Sequence, residues 1–138
     1  MLTRRDTLAI GAGVSVAALL PVTAFAALVD EAIATYTGGA AMADTGVTIT
    51  APEIAENGNT VPISVAADGA TEIALFAAGN PTPNVGRFTF GEASGASMVA
   101  IRIRLGRTQD VIAIAKMADG SFATTRVEVK VTIGGCGG

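Results

Sequence analysis

From Thr45 onward, apolar residues recur at every second position. Val61, Ile63 and Val65 alternate with other residues, as do Ile73 and Leu75, then Phe88 and Phe90. Val99, Ile101, Ile103 and Leu105 follow, with Arg102 and Arg104 between them. Val111, Ala113 and Ala115 come next, and Val127, Val129, Val131 and Ile133 close the series against Arg126, Glu128 and Lys130. A period of two puts each set on one face of a β-strand. Turn chemistry separates the runs: Asn57-Gly58, Asp68-Gly69, GNPTPN at 79–84, GEASGAS at 91–97, Gly106 and Asp119-Gly120.

The pattern predicts about seven short strands at near-regular spacing, an all-β, immunoglobulin-like sandwich of two sheets. The paired cysteines and core Trp of antibody domains are missing. Ala100, Ile112 and Ile114 are apolar on the opposite parity from the expected core. A strand apolar on both faces is covered on both faces, which predicts burial of that second face by another subunit.

One segment keeps a different period. In ALVDEAIATYTGG, Val29, Ile33 and Tyr36 fall on a single stripe, which predicts a short helix stopped by Gly38-Gly39. Asp30 and Glu31 would then stand in its first turn, where they suit the helix dipole.

Residues 1–26 read as a cleaved leader. An Arg pair, Arg4-Arg5, precedes an uncharged stretch from 7 to 29, and Ala24-Phe25-Ala26 is a small-x-small cleavage box. The stretch TRRDTL resembles the twin-arginine export consensus, with Thr7 where an aromatic is usual. The apolar run at 8–20 is short against the ~20 residues needed to span a bilayer, and Pro21 ends it. The domain expectations are therefore a leader at 1–26, a sandwich with its helix at 27–133, and a terminal arm at 134–138. Cleavage moves the net charge from −3 to −4, because two arginines and one aspartate leave.

Composition narrows the chemistry. Half of the residues are hydrophobic but only 4% are aromatic, so the core is built from aliphatic side chains. A net charge of −3 offers no basic field for nucleic acid or anionic lipid. Histidine is absent, which excludes His-based triads and His-containing zinc sites. The acidic residues are scattered without metal-ligand spacing, and no glycine run forms a phosphate loop, so no metal and no cofactor are expected. Arg102, Arg104 and Arg107 cluster on and after one strand, either to keep it soluble or to meet an anion.

The last residues carry the chemistry that remains. KVTIGGCGG runs from a strand into Gly134, Gly135, Cys136, Gly137 and Gly138, and Cys136 is the only cysteine. An exported chain meets an oxidising milieu, and a single cysteine has no internal partner there. Glycines give it nothing to be buried against and permit backbone angles closed to other residues, which predicts a pliable arm. From Ile133 to Cys136 an extended chain reaches about 10 Å. No helix terminus, histidine or lysine adjoins the thiol in sequence, and the Gly138 carboxylate disfavours the thiolate. Such a sulfur suits a carrier that others load, whereas a thiol enzyme would need an activating neighbour. An intermolecular disulfide, in an exported interaction module, is the alternative use of a lone cysteine.

The tail VKVTIGGCGG, the arginine leader, the stretch PEIAENGNTVPISV and the strand TRVEVKVT together resemble the SoxY family of periplasmic sulfur carriers. The resemblance covers the mature chain, and GGCGG at the terminus is its most specific motif. It implies covalent attachment of thiosulfate to Cys136 by a haem-containing enzyme, release of sulfate by a hydrolase, and oxidation of the remaining sulfane sulfur by a dehydrogenase. It also implies a heterodimer with a SoxZ subunit and twin-arginine export to the periplasm, with no membrane attachment after cleavage and no enzymatic activity in the carrier itself. A C-terminal Gly-Gly also resembles the ubiquitin-like thiocarboxylate carriers, but those need cytosolic adenylation and lack a cysteine within the glycines.

Overall fold

A computed structural model describes residues 21–91 and 97–133, with backbone alone for 21–26. Its elements are a helix, α1 (Pro21–Thr37), and nine strands: β1 (Met42–Ala43), β2 (Thr48–Thr50), β3 (Ile54–Ala55), β4 (Val61–Ala66), β5 (Ala70–Ala77), β6 (Asn84–Thr89), β7 (Met98–Ile103), β8 (Gln109–Met117) and β9 (Phe122–Val131). Six of these are the long strands that the alternation predicts. The three extra ones, β1 to β3, are only two or three residues long, too short for a period of two to register.

The larger sheet runs β1-β9-β8-β5-β6, with β3 also paired to β9, and the smaller runs β2-β4-β7. The two sheets enclose the core that the alternation marks. Val61, Ile63 and Val65 of β4 face Ile73 and Leu75 of β5, Val111, Ala113 and Ala115 of β8, and Val129 of β9, all of them buried. Phe88, Phe90, Val99 and Ile101 stand at the edge of this core and are half-buried.

The second apolar parity has a different cover from the expected one. Ile112 and Ile114 of β8, with Ala74 and Phe76 of β5, lie beneath Val29, Ile33 and Tyr36 of α1. The chain's own helix buries that face, where a second subunit was expected, so the molecule is helix on sheet on sheet. The stripe Val29-Ile33-Tyr36 is the docking face that its spacing predicts. Ala100 of β7, by contrast, is exposed on the outer face of the smaller sheet.

Two features of α1 differ from expectation. It begins at Pro21, six residues before Ala27, because Ala-rich sequence continues a helix readily and Pro is well tolerated at a first helical position. Asp30 and Glu31 therefore lie in its middle, and its first turn holds no acid. Its end is as read: Gly38 and Gly39 take φ of 66° and 80°, angles that side-chain-bearing residues rarely adopt.

Tyr36 fastens α1 to the sheet. Its ring meets Phe76 and Phe122 edge-on at 6.2 and 5.8 Å, and its hydroxyl donates to Glu72 Oε1 at 2.8 Å. Arg87 lies over the ring at 4.9 Å and reaches the same carboxylate oxygen at 3.3 Å. Burial, then the hydrogen bond to Glu72 and its negative charge, raise the phenol pKa well above its ordinary 10, against a smaller opposing effect of Arg87. A phenol pKa raised by folding adds stability that is complete below roughly pH 10 and is lost as pH rises further. Tyr36 is the only tyrosine and Trp is absent, so near-ultraviolet phenolate absorbance reports this group alone. The folded protein is expected to titrate well above free tyrosine, and Glu72→Gln to bring the midpoint part of the way down. A midpoint at the ordinary value in the folded protein would mean that Tyr36 is not docked.

Candidate functional site: the root of the C-terminal arm

Cys136 and its glycines, Gly134, Gly135, Gly137 and Gly138, lie outside the described residues, as does the leader through residue 20. What the structure describes is the point from which the arm departs. β9 pairs with β8 from Phe122 to Val129, and on its other edge with β1 at one end and β3 at the other. The β3 pairing is parallel, with Ala55 opposite Val131.

Hydrogen bonds continue past the end of the strand. Lys130 N donates to Glu53 O at 3.0 Å, Thr132 N to Ala55 O at 3.1 Å, and Gly58 N to Ile133 O at 2.7 Å. The Thr132 hydroxyl donates to Glu56 O at 3.1 Å. From the opposite edge, Val131 N donates to the Thr108 hydroxyl at 2.9 Å. The backbone is thus held from both sides up to the carbonyl of Ile133, the last residue before the glycines. The Ile133 side chain is exposed, so the anchorage is in the main chain.

Gly58 links this root to a neighbouring loop, because Leu105 N donates to Gly58 O at 2.8 Å. The loop between β7 and β8 is in turn fixed by two buried amides, Asn80 and Gln109. Asn80 Nδ2 donates to Arg104 O at 2.8 Å, and Asn80 Oδ1 accepts from Gly106 N at 3.1 Å and Gln109 Nε2 at 2.9 Å. Gln109 Nε2 also donates to Arg107 O at 3.0 Å, and Gln109 Oε1 accepts from Gly79 N at 2.9 Å. A buried network of this kind is stabilising only while every member is satisfied. Asn80→Ala leaves Gly106 N and Arg104 O without this side chain, and is expected to cost about 1–3 kcal/mol. Urea denaturation measures it; a loss below ~0.5 kcal/mol would mean that water replaces the amide without penalty.

Neither amide was singled out as a site residue by the sequence. Asn80 lies in GNPTPN, where asparagine reads as turn chemistry, and a glutamine opening a strand carries no signal. The arginine cluster is resolved into two directions. Arg102 and Arg104 line a groove of about 350 Å³ with Asn80, Thr82 and Asn84, while Arg107 lines another of about 440 Å³ with Asp30, Asp110 and Arg126. All three arginines are exposed. Among the described residues no group of acids or other ligands could hold a metal ion, and no helix is long and apolar enough to cross a membrane.

The fold and the tethered end of β9 define a small sandwich domain that carries its own covering helix, with a glycine-flanked thiol following in the sequence. The family described as "Sulfur oxidation protein SoxY" matches residues 33–136. The structure of the sulfur carrier protein SoxY from Chlorobium limicola f thiosulfatophilum is 35% identical, covering 78% of this chain and 99% of that one at a TM-score of 0.65. The chain belongs to the SoxY family. A superoxide reductase (neelaredoxin) from Ignicoccus hospitalis is 20% identical, covering 63% of this chain and 80% of that one at a TM-score of 0.55. A putative superoxide reductase from Thermotoga maritima is 20% identical, covering 62% and 84% at a TM-score of 0.52. These two likenesses are of fold alone. No curated protein matches the sequence significantly.

Proposed function

We propose that this protein is a periplasmic sulfur carrier, which holds thiosulfate-derived intermediates on Cys136 while partner enzymes convert them to sulfate. The observation that carries the reading is the anchorage of β9 through the Ile133 carbonyl, immediately before GGCGG, in a chain of the SoxY family. A thiol three residues past a fixed point reaches about 10 Å beyond it. Flanking glycines add no side-chain width, which suits insertion into narrow active sites. The similarity to a solved structure titled as a sulfur carrier supports the same role.

The carrier does no chemistry itself. A haem-containing enzyme attaches thiosulfate, a hydrolase releases sulfate and a dehydrogenase oxidises the sulfane sulfur, with a SoxZ-like subunit bound alongside. Export by the twin-arginine route, with cleavage after Ala26, is part of the proposal. The α1 residues that dock on the sheet, Val29, Ala32, Ile33 and Tyr36, all follow Ala26, so cleavage leaves the docking face complete.

Intact-mass measurement of protein purified from its native compartment tests the whole reading. The expected species starts at Ala27 and bears a sulfur or thiosulfonate adduct on Cys136 that reductant removes. A doubled mass that reductant reverses would instead support the intermolecular disulfide, and a modified Gly138 a thiocarboxylate carrier.

A further inference from the structure

The groove lined by Arg102 and Arg104 opens where β6, an edge strand of the larger sheet, faces β7, an edge strand of the smaller one. Besides the two guanidinium groups it presents Asn80, Thr82 and Asn84, and no carboxylate. Two further grooves differ: one contains Glu31, and one Asp30 and Asp110. A concavity lined by two guanidinium groups and neutral donors, with no acid in its lining, suits an anion of sulfonate or carboxylate shape. Its volume of about 350 Å³ exceeds what one such group occupies.

Its position relative to the arm supplies the occupant. Ile133 O is bonded to Gly58 N, and Gly58 O to Leu105 N, so the arm leaves the body two hydrogen bonds from the residue following Arg104. Five residues follow Ile133 and span at most about 17 Å, with Cys136 at about 10 Å. The Asn80–Gln109 network holds the backbone of Arg104 in place, so the distance from arm root to groove is set by the fold.

We infer that the Arg102–Arg104 groove is an anion-docking site for the protein's own arm, receiving the sulfonate end of the cargo on Cys136 between visits to partner enzymes. The inference rests on the carrier reading for the nature of the cargo. Charge complementarity makes docking dependent on the cargo: an adduct ending in a sulfonate is held, whereas the bare thiol and an uncharged sulfur adduct are not. The attraction between exposed charges is screened by salt, so the docked fraction falls as ionic strength rises.

The cargo can be installed without any partner. The Cys136 thiolate attacks a sulfane sulfur of tetrathionate; one sulfur–sulfur bond forms, another breaks, thiosulfate leaves, and Cys136 carries a thiosulfonate. Backbone amide resonances of the full mature chain are then compared for the free thiol, this adduct, and protein capped with neutral iodoacetamide. The expected result is that amides of residues 102–106, Asn80 and Asn84 shift with the thiosulfonate only. The shifts should shrink on raising salt tenfold and vanish in R102Q/R104Q, whose fold is compared with the parent's by circular dichroism. Adduct formation by mass with the groove resonances unmoved overturns the inference, as do equal shifts with the neutral cap. Slowed loading of R102Q/R104Q by partner enzymes, without adduct-dependent shifts in the parent, would assign the groove to an acidic partner surface and also overturn it. Failure of the carrier reading is a separate result, visible as normal thiosulfate oxidation by C136S whatever the amides do.

Discussion

Cys136→Ser is expected to abolish thiosulfate oxidation completely while the protein folds as before. An oxygen of nearly the same size cannot form the sulfur–sulfur bond that holds the cargo, so no partner can load the variant. Stability is expected to be unaffected, because among the described residues the hydrogen bonds that hold the end of the chain already reach the Ile133 carbonyl. Cys136 takes part in none of the interactions described for β9 or the core, and the effect of its substitution on unfolding is expected to stay within about 0.5 kcal/mol. Urea denaturation of the purified variant, together with sulfate production by cells that contain only this form, measures both halves. Oxidation at the parental rate would remove Cys136 from the chemistry, and with it the carrier function.

The sandwich was legible because alternation encodes burial directly. Val61-Ile63-Val65 and Val111-Ala113-Ala115 face a core that requires one parity of each strand, and those residues are buried. The same rule detected that Ile112 and Ile114 also needed cover. It could not say what supplied it, since a strand's parity records that a face is dry and not which element keeps it so. The stripe Val29-Ile33-Tyr36 was the missing half of that interface: both halves were read from sequence, and only the fold joins them. The start of α1 was less legible because leader and helix merge without a break in composition, and Pro21 serves either a leader's end or a helix's first turn.

At the site, the thiol and its glycines were apparent because their isolation is compositional. The root was not. Its bonds run from main chain to main chain, between Thr132 and Ala55 and between Gly58 and Ile133, and such contacts leave no trace in side-chain pattern. Asn80 and Gln109 are 29 positions apart in sequence, and two neutral amides carry no periodicity by which to pair them. The arginines were visible as a charge cluster, but strand geometry divides them, placing Arg102 and Arg104 in one groove and Arg107 in another.

Phe76→Ala is expected to cause the largest loss of stability of any single change considered, about 3–5 kcal/mol. Phe76 is 2% exposed and stands at the centre of the cluster between α1 and the larger sheet, with Ile112, Ile114, Ala74 and Val29 around it. Truncation removes one of the two edge-on partners of Tyr36 and leaves a cavity under α1. A helix in a folded protein owes most of its stability to the packing of its apolar face. The cavity therefore weakens α1 itself as well as the contact it fills, and the Tyr36 phenol should titrate closer to its ordinary value as its burial is lost. Ile133→Ala is the matched control: it also removes apolar atoms, but from an exposed side chain, and should cost less than about 0.5 kcal/mol. Urea denaturation with helical and tyrosine signals followed together reads both variants. If Phe76→Ala cost less than about 1 kcal/mol, the second apolar face would have to be covered by something other than α1, and a partner subunit would again be the leading candidate for that face.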